Sequence, residues 1–105
     1  MDSLREFIPE LRKHLGVYVM YRSYLELCSF ISGYEACAGS TLMKSFHEWL
    51  VDRKKGRPEL YWPFLVLCEI YPDGALPKLR ELTDQQSAAA VDKLFDLLDE
   101  FFNDE

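Results

Sequence analysis

Apolar residues recur along this chain at spacings of three and four, the repeat of helices that bury one face. Leu4, Phe7, Ile8, Leu11 and Leu15 form the first stripe, with Gly16 as its stop. Pro9 lies inside it, which predicts either a helix beginning near Pro9 or a short turn followed by one. The next stretch, GVYVMYRS, mixes tyrosines with β-branched residues and reads as a connector of strand-like character.

Ser23 and Glu26 make an S-x-x-E capping box, and Leu27, Phe30, Ile31 and Tyr34 then share one helical face before Gly39. Ser40 is placed to cap a third helix, with Leu42, Met43, Phe46, Trp49 and Leu50 as its inner stripe and Gly56 as its stop. The segment between Pro58 and Pro72 is rich in aromatics. Pro63 suits the first turn of a short buried helix ending near Ile70, while FLVLCEIY is also a good strand run. Pro77 opens a short helix through Leu82. Thr83 and Gln86 form a second capping box, and a last helix, roughly 84 to 102, turns Val91, Leu94, Phe95, Leu98, Phe101 and Phe102 inward. Four or five helices with short connections predict an all-α, compact single-domain bundle over residues 1–105.

Composition supports a folded core and changes the picture in one respect, charge. The chain is 49% hydrophobic and 14% aromatic, with a net charge of -6 and a pI near 4.9. From Glu81 to Glu105 eight acids stand against one lysine, net -7; residues 1–80 hold ten acids and eleven bases, net +1. The excess acid therefore lies at one end. Such a balance opposes general nucleic-acid or anionic-membrane binding and favours a basic protein partner. The charged, amphipathic start and the lack of any membrane-length apolar run lead to an expectation of a soluble, cytoplasmic protein.

Candidate chemistry is sparse. HEWLV offers His47 and Glu48 of a zinc-protease helix, but Val51 stands where the second histidine is needed. Cys28, Cys37 and Cys68 form no CxxC pair and read as buried, reduced thiols. Cys28 and Cys37 fall on opposite sides of one helix, so they share no metal. His14 closes the first helix, where an imidazolium suits the helix dipole. A cysteine nucleophile using His14 or His47 as base would need a tertiary arrangement that no local spacing sets up. No catalytic residue, metal or cofactor is expected. The basic run DRKKGRP, residues 52–58, complements the end of the third helix through Arg53, Lys54 and Lys55.

Two features remain that suit a protein interface. Tyr18, Tyr21, Tyr24, Trp49, Tyr61 and Trp62 are a dense aromatic set, mostly core, in which any exposed ring is a natural anchor. In the last helix Asp92, Asp96 and Asp99 are spaced by four and three and form one stripe, extended by Glu100, Asp104 and Glu105. Asp84, Asp92, Asp96, Asp99 and Glu100 are the candidate contact residues.

The succession YRSYLELCSFISGYEA, FHEWLVDRKK and ELYWPFLVL resembles small bacterial immunity proteins of polymorphic toxin and contact-dependent growth inhibition systems, over about residues 18 to 67. The resemblance implies a cytoplasmic protein that binds one cognate toxin domain, often a nuclease, one to one, and blocks it without chemistry or direct contact with nucleic acid. It brings no toxin-contacting residue with it, so the site assignment rests on charge. A helical adaptor or homodimer using exposed aromatics is the alternative.

Overall fold

The computed structural model describes residues 3–54 and 56–104, and these are helical without a strand. In chain order they form α1 (Ser3–Lys13), α2 (Leu15–Tyr18), α3 (Tyr24–Ala38), α4 (Leu42–Lys54), α5 (Trp62–Ile70), a 3₁₀ turn (Leu79–Glu81) and α6 (Asp84–Asn103). The radius of gyration, 13.1 Å, is that of a compact unit of this size. Five helices longer than a single turn agree with the predicted all-α bundle.

α6 is the wall on which the others assemble. Both halves of its capping box are present: Thr83 Oγ1 accepts from Gln86 N–H at 3.1 Å, and Gln86 Oε1 accepts from Thr83 N–H at 2.9 Å. Its inner side buries Ala90, Val91, Leu94, Phe95, Leu97, Leu98 and Phe101. α3, α4 and α5 all pack against it, and α1 packs on α3.

Caps were largely readable, with one exchange of partners. Ser23 Oγ accepts from Glu26 N–H at 3.2 Å, but the Glu26 carboxylate accepts from Tyr21 N–H at 3.3 Å rather than closing the box on Ser23. Gly39 ends α3 with φ 67°, in the left-handed region. Ser40 Oγ accepts from Leu42 N–H, and Glu35 reaches over from α3 to accept from Met43 N–H at 2.7 Å. One carboxylate from the preceding helix thus satisfies an orphan donor at the start of α4.

Several expectations need correction. α1 runs through Pro9 rather than starting there; the proline faces solvent, and Leu4, Ile8 and Leu11 hold the helix by burial despite the missing donor. Gly16 is no stop and the following connector is not strand-like: Leu15–Tyr18 is a helical turn, fixed because the Tyr18 ring meets Phe7 edge-on at 4.8 Å. The helix-or-strand choice for 61–71 resolves as helix α5 at Trp62–Ile70, with Pro63 in its first turn where no N–H is needed. The helix expected from Pro77 shrinks to the 3₁₀ turn, which begins after Lys78. Phe7, Leu15, Phe30, Tyr34, Trp49 and Phe102 line the core only partly. Lys55 and Glu105, and the Lys54 side chain, lie outside the described residues.

Burial also sets a pH response. Tyr24 donates its phenol O–H to the Pro63 carbonyl at 2.6 Å, and its N–H donates to Ser87 Oγ at 2.6 Å. On the same helix, burial pushes the Cys28 thiol from its ordinary 9.0 up to about 12, and burial likewise raises the Tyr24 phenol above 10.0. Both groups are neutral when protonated and give up a proton more readily in the unfolded chain. Their stabilising contribution is complete below the unfolded pKa and is lost as pH rises through the folded one. Between pH 9.0 and 10.0, where Cys28 acts before Tyr24, stability is expected to fall by up to about 1.4 kcal/mol per pH unit. Cys28→Ala should flatten that slope in urea unfolding; an unchanged slope would clear the thiol of responsibility.

Candidate functional site

The solvent side of α6 carries Asp92, Asp96 and Asp99, all exposed, opposite the buried Leu94, Leu98 and Phe101. The predicted stripe is therefore one surface. Asp84 does not join it: it lies in the first turn of α6, about 12 Å along the axis from Asp92 at the usual rise per residue. There it borders a groove with Tyr21, Leu25, Leu79 and Leu82.

The acids differ in what already holds them. Asp96 Oδ1 accepts from Arg12 Nη2 at 2.9 Å, an exposed pair that links α1 to α6. Glu100 sits on the flank and is engaged by Arg53 at 3.3 Å. Arg53 also meets Glu69, whose side chain is only 4% exposed, at 3.3 Å, and its guanidinium lies over Trp49. This arginine does more than complement its own helix end, because it ties α4 to α5 and α6 and neutralises a nearly buried carboxylate. Trp49 Nε1–H in turn donates to Asp104 at 2.8 Å. Asp84, Asp92 and Asp99 have no ion-pair partner among the described residues.

Beside the stripe, α1 and α6 leave a cleft of about 300 Å³ floored by Ile8, Pro9, Phe95 and Phe102. Arg12 and Lys13 stand on one side and Asp99 on the other. The Arg12 guanidinium covers the Phe95 ring at 5.4 Å while it holds Asp96. An apolar side chain fits the floor, and a cation next to it meets Asp99. The acids were visible from helical spacing. The cleft was not, because it needs Pro9 and Phe102 from opposite ends of the chain.

The other candidates resolve individually. Tyr24 and Trp62 are core, whereas Tyr21 and Tyr61 are exposed, the latter sharing a 2.9 Å hydrogen bond with Ser32. Val17 in α2 and Met20 and Tyr21 just after it are exposed apolar residues, with Met20 85% exposed. His47 is half-buried, its Nε2–H donating to the Leu60 carbonyl at 2.8 Å. His14 stands 4.0 Å from Glu10, which also accepts from Tyr18 O–H. All three cysteines are free thiols, but only Cys28 is buried as expected; Cys37 is exposed, near the end of α3, and Cys68 is intermediate. Among the described residues no group of three or more histidines, cysteines and acids is placed to hold a metal, and no helix is long and apolar enough to cross a membrane. Compared with known proteins, the chain matches no family model, no curated protein and no solved structure.

Proposed function

We propose that this chain is a cytoplasmic immunity protein of the toxin-neutralising kind, binding one cognate basic toxin domain, a nuclease, and blocking it without chemistry of its own. One observation carries the reading: three acids share an exposed helix face next to an apolar cleft. A nuclease holds nucleic acid in a basic groove, and such a groove is the electrostatic complement of this face. The cleft supplies room for an apolar anchor, the part of an interface that gives most affinity. Asp92 and Asp99 lead the contact, Asp96 and Glu100 by exchanging Arg12 and Arg53 for cations of the toxin. Asp84 lies at the margin of the same helix.

The test is the combined change Asp92→Asn, Asp96→Asn and Asp99→Asn, with stopped-flow association against a cognate toxin domain, sought in the neighbouring reading frame. Loss of steering should slow association by about tenfold at low salt and flatten its salt dependence. The fold should survive, because exposed ion pairs contribute little to stability. Unchanged rate and affinity would remove the stripe from the interface.

A second reading, a homodimeric adaptor, rests on exposed Val17, Met20 and Tyr21. Light scattering separates the two: a tight dimer of the isolated chain favours the adaptor, a monomer the immunity protein.

A further inference from the structure

The corner between α1 and α2 has the opposite character from the acidic stripe. Arg12, Lys13, His14 and Arg22, with Leu15, Gly16 and Val17, line a concavity of about 490 Å³, and no carboxylate is part of its lining. Four basic side chains meet there in a chain whose net charge is -6. We propose that this concavity is a binding site for the phosphate group of a small phosphate monoester.

Three observations carry the assignment. Glu10 approaches His14 only at 4.0 Å, and Asp96, which pairs with Arg12 at 2.9 Å, is not among the residues that line the concavity. Lys13 and Arg22 have no ion-pair partner among the described residues, so their charge is available to a ligand. Arg22 also lies close against Gly16. A Cβ on Gly16 would fall 2.8 Å from its Nη2 and 3.1 Å from its Nε, so the guanidinium occupies the space that a side chain at 16 would take. Glycine here allows the fork of Arg22 to lie against the helical turn. Arg12 is held in turn by Asp96 and the Phe95 ring. Two guanidinium groups, that of Arg12 held in place, and a lysine suit a dianion with several oxygens better than a single carboxylate, since a guanidinium fork offers paired donors at phosphate spacing. The negative field of the whole molecule opposes a long polyanion and leaves a small ligand as the occupant.

The experiment is amide-resolved NMR titration of the full chain with inorganic phosphate, phenyl phosphate and, at equal ionic strength, acetate. Phosphate and phenyl phosphate should shift the Gly16 and Val17 amides saturably, and acetate should bind at least about tenfold more weakly. Arg22→Gln should weaken phosphate binding by about tenfold. Gly16→Ala should weaken it several-fold while keeping every charge, because its Cβ displaces the guanidinium. Both positions are exposed, and an unchanged melting temperature confirms that the fold is retained; should Gly16→Ala unfold, Lys13→Gln takes its place with the same expected direction. Shifts that fail to saturate, acetate binding equal to phosphate, or undiminished binding in Arg22→Gln would each overturn the site.

Discussion

Phe46→Ala should lower the free energy of unfolding by about 4 kcal/mol. Phe46 has no solvent exposure, and its ring lies 6.0 Å from Trp49, 6.3 Å from Trp62 and 5.6 Å from Phe101. It is therefore the point where α4, α5 and α6 meet through aromatic rings. Removing it loses the transfer energy of the ring and leaves a void that three large, mutually braced side chains cannot readily fill. For a domain with roughly 5–15 kcal/mol of total stability, that is a large share. Urea unfolding checks it: the midpoint should move down with an unchanged slope. Phe46→Leu, which keeps much of the volume, should lose well under half as much. A loss below about 1 kcal/mol for the alanine variant would mean that the cluster collapses around the gap.

Ser87→Ala is the second large effect, about 2 kcal/mol, although it deletes a single oxygen. Ser87 is the buried polar residue of α6, and its Oγ accepts the N–H of Tyr24 at 2.6 Å, at the first position of α3. Without that oxygen a buried backbone donor has no acceptor, and the cost is its full desolvation rather than the modest net worth of a hydrogen bond. For a unit of this size the melting temperature should fall by about 10 °C. Ser45→Ala on the exposed side of α4 serves as comparison and should change stability by less than about 0.5 kcal/mol. Equal effects from the two would show that water reaches Tyr24 N–H in the folded state.

Local chemistry explains which elements were legible. α6 declared itself through Thr83, Gln86 and a one-sided apolar face, all within one stretch. α5 stayed ambiguous because Trp62, Leu65, Val66 and Leu67 are all buried, so its residues show no polar side to set the period. α2 was misread because its turn depends on Phe7 meeting Tyr18, a contact that spacing within GVYVMYRS does not encode. The same division holds for the sites. Periodicity placed Asp92, Asp96 and Asp99 on one face, but Arg12 pairs with Asp96 across 84 positions, and nothing short-range announces it. Arg12, Lys13 and His14 are adjacent in the chain. Only the helical turn at Leu15–Tyr18 brings Arg22 back to complete the basic corner.

The wall formed by α6 also imposes an order in time. During synthesis, α3, α4 and α5 leave the ribosome before the helix that covers their inner faces exists. Until residues 84 to 103 follow, Leu27, Ile31, Phe46 and Leu67 lack their common partner, and local pairs such as α4 with α5 are all that shelters them. Completion of the core thus waits for the most acidic segment of the chain, whose exposed charges sit on the same helix as the apolar face that closes it.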